Sequence, residues 1–361
     1  MNTFDVIVVG GGPAGATAAA LCARRGLSVA LIEHKRFPRH KVCGDVINPN
    51  CWPVLERSGV ADKVRALPHR RLSGALFTTP YGVLIDVPVT TGSSLIAIRR
   101  SLFDAWLLEH ARACGVEVVE DETVHGIIGG STVVTRDGRY FALRGIVGAD
   151  GRHSVVAQAA GLTAHDADRN GQVAFQAHFR ATAALDDRVQ LHLFPGGYCG
   201  VARVDDERVN VCLVTNRASA RWHSDPEALL AHTVLHNPRF RELGLAPEPL
   251  EPLQSAHPLR RAMNKPCGGG VWLVGDALRV VEPFTGQGIF FALRTAELVT
   301  ESLCAGRDYA GAVRTLYRHC GRTNQLLRRL MYRAPCAEVA AVALTRWPGA
   351  RRWLAANVLA A

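Results

Sequence analysis

Lysine is scarce in this chain of 361 residues: of 42 basic residues only Lys35, Lys41, Lys63 and Lys265 are lysine, and the rest are arginine. Paired cysteine motifs are missing as well. The ten cysteines never stand as C-x-x-C, and none sits at zinc-finger spacing from a histidine, so no metal site is expected. A chain of this length has no need of disulfide staples, and reduced thiols in a cytoplasmic protein are expected. There are no internal repeats and no low-complexity linkers. With 48% hydrophobic and 20% charged residues, disorder and collagen-like architectures are excluded. No uninterrupted apolar run suits a spanning helix. The apolar segment Phe4 to Ala23 has no basic residues before it and carries Gly10, Gly11, Gly12, Pro13 and Gly15 in its middle, so it reads as neither signal peptide nor membrane span. Acidic residues number 32, which leaves a net charge of +10. That balance favours anionic partners, although an arginine surplus also follows from genomic base composition. No nucleic-acid-binding motif accompanies the charge, and nucleic acid is not expected as a partner.

What is present begins at the N-terminus. Phe4 to Val9 is a continuous apolar run of the kind found in parallel strands covered on both faces. It leads into Gly10-Gly11-Gly12-Pro13-Ala14-Gly15, a G-x-G-x-x-G turn, then an Ala-rich helical stretch to about Arg25, a second strand at Ser28–Ile32, and Glu33. The spacing has a mechanism. Gly10 permits the tight turn, Gly12 lets backbone approach a pyrophosphate, and Gly15 lets helix and strand pack closely. The helix start, with Pro13 and Ala14, offers oriented N–H groups to phosphate, and Glu33 is placed to accept ribose hydroxyls. This predicts dinucleotide binding, with NAD and FAD both compatible at this stage.

Two later segments point to a flavin. Val271–Val274 reads as a strand that delivers Asp276 to a loop, and Pro283-Phe284-Thr285-Gly286-Gln287-Gly288-Ile289 opens a long helix. An aspartate so placed can bind ribityl hydroxyls, and a helix N-terminus at Gly288-Ile289 suits the ring edge where reduction builds negative charge. Between them, Gly145–Gly148 is a strand that ends in Asp150-Gly151. This trio resembles the flavoprotein superfamily of p-hydroxybenzoate hydroxylase, geranylgeranyl reductases and flavin-dependent halogenases, over nearly the whole chain and in the same order. The resemblance implies FAD as cofactor, contacted by Gly10, Gly12, Gly15, Glu33, Asp276, Gly286 and Gly288. It further implies that Arg100, in Arg100-Ser101-Leu102-Phe103-Asp104, reaches the cofactor and that the backbone of Val124 meets adenine. Asp150 has two readings, a cofactor contact or a buried turn residue that shapes the fold. No second strand–glycine-turn–helix unit exists, so NAD(P)H is expected to bind transiently or a partner reductase to supply electrons.

The segment Lys41-Val42-Cys43-Gly44-Asp45 resembles the Lys-x-Cys-Gly stretch of geranylgeranyl reductases, whose cysteine lies near the flavin and the substrate double bond. Beside Lys41 and Arg39, Cys43 is expected to have a lowered pKa and to donate a proton or shape the flavin face; the alternative is a small packing residue. Asp45 is a second candidate acid, or a loop aspartate. Tyr198 keeps the first position of the family's Tyr-x-Trp-x-Phe-Pro signature, but Gly200 stands at the tryptophan position and Val201-Ala202 follow, a smaller wall that suits a bulkier or more polar substrate. Tyr198 lines the pocket or is a core aromatic. No two tryptophans lie one residue apart, which weakens the halogenase branch, while hydroxylation stays open.

The expected fold is α/β, a Rossmann-like FAD-binding domain with an inserted antiparallel β-sheet substrate domain and a C-terminal helical segment. FAD-binding residues are assigned to 1–70, 96–165 and 265–310, the substrate domain to 71–95 and 166–264, and the helical segment to 311–361. Asp225–Leu235 is expected as a helix capped by Ser224. The last segment holds nine arginines against the single acid Glu338, so its helices either rest on an anionic membrane or present a solvated basic face. The resulting expectation is a FAD-dependent oxidoreductase that reduces a C=C bond of a prenyl or other apolar metabolite. A FAD monooxygenase or halogenase-like enzyme with an aromatic substrate, and a flavin-binding electron carrier, are the alternatives.

Overall fold

In the computed structural model, residues 2–89, 94–164, 171–216, 237–245, 248–281, 283–318, 334–347 and 349 are described. The expected helix Asp225–Leu235 lies outside them, as do Arg322, Arg328, Arg329, Arg333, Arg351 and Arg352.

The first strand, Asn2–Val9, pairs in parallel with Arg139–Gly148 on one side and with Val29–Ile32 on the other. It is the centre of an eight-stranded sheet whose main order is Cys267–Gly268, Val271–Leu273, Arg139–Gly148, Asn2–Val9, Val29–Ile32 and Glu117–Val119. Val6 to Val9 are buried, as the non-alternating run requires when helices cover both faces. The glycine-turn helix, Pro13–Ala23, starts with proline at its first turn and is buried from Pro13 to Cys22. It packs against the helices Gly288–Ala305 and Arg100–Ala113. The run of alanines makes this three-helix approach close; larger side chains would hold the helices apart. Two antiparallel strands, Val124–Ile128 and Thr132–Thr135, extend the sheet from Arg139–Gly148.

A second sheet of seven strands has the order Gln254–Ala256, Gln172–Arg180, Arg208–Asn216, Gly197–Arg203, Arg188–Phe194, Gly74–Thr78 and Leu84–Pro88. A hairpin turns at Tyr81-Gly82, with Thr78 opposite Leu84. Asp205–Glu207 turns between the strands Gly197–Arg203 and Arg208–Asn216. One pairing departs from the antiparallel expectation: Gly74–Thr78 runs parallel to Arg188–Phe194. These strands come from two separate stretches of chain, and no hairpin links them, so nothing forces them antiparallel. The sheet buries both faces. Residues such as Ala174, Leu191, Tyr198 and Val214 join one apolar cluster, while their alternate neighbours Val173, Phe175, Cys199 and Leu213 join another beneath Phe240 and Leu243. A third, three-stranded sheet (Val46–Ile47, Leu95–Ala97, Arg70–Leu72) carries the Cys43 segment between the two large ones. The cysteines of the described residues are free thiols.

Candidate active site

A cavity of about 370 Å³ runs between the two large sheets. Gly10, Gly12, Pro13, Ala14 and Glu33 line one end, and Arg100, Asp150, Asp276, Gly286, Gly288 and Ile289 line its middle. The other end is apolar, with Leu95, Leu191, Tyr198, Val214, Leu259 and Phe284. Cys43 lies on the same wall. Thirteen of the sixteen candidate residues thus line one cavity, and Val124, Asp45 and Gly15 do not.

At the glycine-turn end, packing demands glycine. Gly10 has φ +104°, and a Cβ on Gly15 would lie 1.8 Å from the Gly10 carbonyl oxygen. Gly15 therefore serves the close approach of helix and strand rather than the cavity wall. Glu33 is buried and accepts from the Gly11 N–H at 2.7 Å and the Lys35 N–H at 3.0 Å. Burial alone would raise its pKa, but His34, the Gly11 N–H and Arg39 together hold it below the ordinary carboxylate value, so it is an ionised acceptor. Across from it, Arg39 Nη1 is buried without a hydrogen bond, lying 3.3 Å from Asp104 Oδ2, and its Nη2 faces the open side of Gly12. A guanidinium with one buried N–H group unbonded, beside a bare glycine backbone, is a fitting cradle for a pyrophosphate. Gly286 and Gly288 likewise have no atom within 4 Å of a Cβ position, which leaves the start of the long helix open to the cavity. These residues fit FAD.

Arg39 and Arg100 share one counterion. Asp104 has no exposure and receives Arg100 Nε at 2.7 Å and Nη2 at 2.8 Å. Sequence reasoning quoted Asp104 only as part of the arginine motif; its i, i+4 spacing from Arg100 was the available signal. Burial would lower the Arg100 pKa, but Asp104 and the Cys43 sulfur raise it overall, so the guanidinium is permanently charged.

Cys43 departs from expectation. Burial raises its thiol pKa above the ordinary value, and the opposing pull of Arg100 does not overcome it. Lys41 and Arg39, its neighbours in sequence, are not what sets it. Lys41 itself is affected: burial lowers its pKa to about 8, against the attraction of Asp276 and with Arg152, Arg100 and Arg39 pushing the same way as burial. Cys43 is therefore a neutral thiol facing the cavity, able to give a proton rather than to act as a nucleophile.

Asp45 is 2% exposed, does not line the cavity and adopts φ +57°. Its Oδ2 receives Asn210 Nδ2 at 2.6 Å and His178 Nε2 at 2.7 Å, and its Oδ1 receives the Arg100 N–H at 3.1 Å. His178 Nδ1 lies 2.6 Å from Glu251 Oε1. Burial opposes charge on His178, but Asp45 and Glu251 raise its pKa overall, so the protonated form is favoured where the ring bridges the two acids. Asn210 also donates to the Cys43 carbonyl at 3.0 Å. Asp45 thus holds the Cys43 loop to the seven-stranded sheet, and its carboxylate is fully occupied in doing so. Asn48 ties the same loop to the far side of the cavity through Nδ2 and the Gly286 carbonyl, at 3.1 Å. His178, Asn210, Glu251 and Asn48 carry no sequence motif: the first two are strand positions and the others single loop residues, while Lys41 stood out only as a charge beside Cys43.

Asp150 combines its two readings, and Val124 lies off the cavity. Asp150 accepts from Ser154 Oγ at 2.6 Å and from the Val156 N–H at 3.1 Å, steadying Ser154, the N-cap of the helix Val155–Ala159, with burial raising its own pKa. It lines the cavity from this fixed position. Val124 is not the start of the first strand after the Arg100 helix; Glu117–Val119 intervenes, and Val124 opens the next, paired with Thr135 and away from the cavity lining. Asp276 faces Arg152 Nη2 at 3.5 Å. Tyr198 is buried, lines the cavity and meets Phe284 edge to face at 5.3 Å.

Comparison with known proteins agrees with this geometry. The FAD binding domain family model matches residues 3–306. Menaquinone reductase of Mycolicibacterium smegmatis is 30% identical over 354 residues, covering 91% of this chain and 84% of that protein. Digeranylgeranylglycerophospholipid reductase 2 of Methanopyrus kandleri is 29% identical over 313 residues, covering 82% and 76%. A solved geranylgeranyl bacteriochlorophyll reductase-like structure from Thermoplasma acidophilum superposes with TM-score 0.81 at 20% identity over 99% of this chain and 97% of that one, which shows the shared fold. With a glycine-turn cradle, an ionised Glu33 and an open helix start around one cavity, the chain belongs to this FAD-binding family and is a geranylgeranyl-reductase-like, FAD-dependent oxidoreductase.

Proposed function

We propose that the enzyme reduces a C=C bond in a prenyl chain or comparable apolar metabolite. The observation that carries this reading is the Cys43 thiol, its pKa raised by burial, on the lining of a cavity that also holds the glycine-turn residues and an apolar set. Adding two hydrogens across an alkene takes a hydride and a proton. FAD, once reduced, supplies the hydride. The proton needs an acid that stays protonated at neutral pH, and a thiol whose pKa burial has raised meets that requirement where a carboxylate would not. Arg100, fixed by Asp104, holds the sulfur, and the Asp45–His178–Glu251 chain holds its loop. The apolar end keeps water from competing for the reactive position. The names of the relatives, menaquinone reductase and digeranylgeranylglycerophospholipid reductase, support a prenyl-bearing substrate. Electrons are assigned to NAD(P)H binding transiently or to a partner reductase, in keeping with the single glycine-turn unit in the sequence.

The test is anaerobic turnover of the reduced holoenzyme in deuterated water with menaquinone or digeranylgeranylglycerophospholipid. The expected product gains two hydrogens, with one solvent deuterium delivered through Cys43. A substrate that changes only after oxygen is admitted, and then gains oxygen or halogen, overturns the reductase reading in favour of a monooxygenase or halogenase.

A further inference from the structure

Gly200 is a glycine that neither backbone nor packing requires. It stands in the strand Gly197–Arg203, between Arg188–Phe194 and Arg208–Asn216 in the seven-stranded sheet. Its φ lies outside the left-handed region that favours glycine. A Cβ there would meet the Cys212 carbonyl oxygen at 3.7 Å and Leu191 Cδ2 at 4.0 Å, both ordinary contacts. Two other strand glycines of the same sheet differ. A Cβ on Gly197 would lie 2.1 Å from the Val214 carbonyl oxygen, and one on Gly74 would lie 2.5 Å from the Val87 carbonyl oxygen. Packing fixes those two. A glycine inside a strand forfeits a side-chain contact and adds freedom to the unfolded chain. Where sterics do not require it, it commonly marks close approach by a ligand.

The gap has a shape. Tyr198, Gly200 and Ala202 line the cavity from one strand, and Leu191 and Cys212 line it from the strands on either side, each opposite Gly200. Same-face residues are about 7 Å apart along a strand, and neighbouring strands about 4.8 Å apart. The missing side chain therefore leaves a slot that runs from Tyr198 to Ala202 between Leu191 and Cys212. One end is aromatic, since Tyr198 meets Phe284 edge to face at 5.3 Å. The other end reaches the Cys43 loop: Asn210, opposite Ala202, donates to the Cys43 carbonyl at 3.0 Å. The sides are uncharged, for burial pushes the Cys212 thiol up to about 12. A flexible methylene chain follows any apolar wall and gains little from one absent side chain. A flat, rigid group gains more, because bare backbone lets it rest on the sheet while the aromatic pair meets its rim. We propose that Gly200 is a specificity-determining residue, and that its slot takes a planar ring carried by the apolar substrate. This deepens the proposed function and rests on its assignment of the apolar end of the cavity to substrate.

Ligand binding to the full-length oxidised holoprotein tests this, read from perturbation of the flavin spectrum at fixed detergent concentration. Three ligands separate ring from chain: menaquinone with four isoprene units, geranylgeraniol with the same chain and no ring, and 2-naphthol with a bicyclic ring and no chain. Gly200→Ala should weaken menaquinone and 2-naphthol about tenfold and Gly200→Leu should weaken them further, while geranylgeraniol changes less than about threefold. Flavin-to-protein ratio and melting temperature should hold, since position 200 accepts a Cβ at ordinary distances. Equal loss for all three ligands, or no loss for the two that carry a ring, overturns the assignment. So does a wild type that binds geranylgeraniol alone. If 2-naphthol binds and both variants weaken it, while neither prenyl ligand binds, the ring slot stands and the prenyl reading falls. Binding of none of the three overturns both.

Discussion

The two walls of the cavity are built on different principles. The glycine-turn wall presents backbone: Gly10, Gly12, Gly286 and Gly288 expose main-chain groups, and Gly15 is held against the Gly10 carbonyl with no room for a side chain. The seven-stranded wall presents side chains, Leu191, Tyr198 and Val214 among them, on strands whose backbone is already used in the ladder. Backbone recognition serves a part common to every FAD and tolerates almost no substitution. A side-chain wall serves a substrate and can be changed one residue at a time without disturbing the sheet. The Cys43 loop lies between, pinned to one wall by Asn48 and to the other by Asn210 and His178. What the contrast teaches is that cofactor affinity and substrate choice can change independently, provided that loop keeps its place.

The sharpest break would come on the backbone wall. Gly15→Ala places a methyl 1.8 Å from a carbonyl oxygen, and is expected to cost more than about 3 kcal/mol and to abolish FAD retention, read by flavin-to-protein ratio and thermal melting. Retained flavin with an unchanged melting temperature would remove the distinction between the walls. At the pin, His178→Ala leaves Asp45 and Glu251 facing each other, and a loss of about 3 kcal/mol is expected in denaturant unfolding. Because the folded-state pKa of His178 is raised above 6.5, its contribution is complete below that value and is lost as pH rises through the raised one. The gap in stability between wild type and His178→Gln should therefore narrow as pH increases; a constant gap would mean the imidazole is neutral.

On the loop itself, Cys43→Ala should slow turnover about 100-fold with FAD binding unchanged. Cys43→Ser, a poorer acid of similar size, should also be slow, which separates proton donation from packing. Turnover should decline as pH climbs through the raised thiol pKa. The smallest effect is expected at Lys41. Its ammonium loses its proton at about pH 8, so FAD affinity should weaken from neutral pH toward pH 9, and Lys41→Met should flatten that dependence at a cost of about 1 kcal/mol, measured by titration calorimetry.

Much of the cofactor side was legible because its requirements fall on consecutive residues. Gly10 to Gly15, Glu33 and the Gly286–Gly288 turn are local patterns, each with a steric or electrostatic reason that sequence spacing preserves. The second sheet was legible as an antiparallel insert over 71–95 and 166–264, the kind of segment that alternating strand patterns give. What alternation does not convey is partner identity. The parallel pairing of Gly74–Thr78 with Arg188–Phe194 joins residues more than a hundred apart, and the expected low pKa of Cys43 failed for the same reason. Adjacent Lys41 and Arg39 suggested an electropositive thiol, but burial between two sheets outweighs neighbours in sequence, and the cation that reaches the sulfur is Arg100.

The sequence by itself determined that this chain carries a dinucleotide-binding turn, since glycine spacing and a following acid encode that geometry within a few turns of chain. Only the tertiary structure shows that burial raises the Cys43 thiol pKa and that the Asp45 carboxylate is held by His178, Asn210 and the Arg100 N–H. Each of those depends on desolvation and on partners brought together from distant segments, and neither quantity is written in any local pattern of residues.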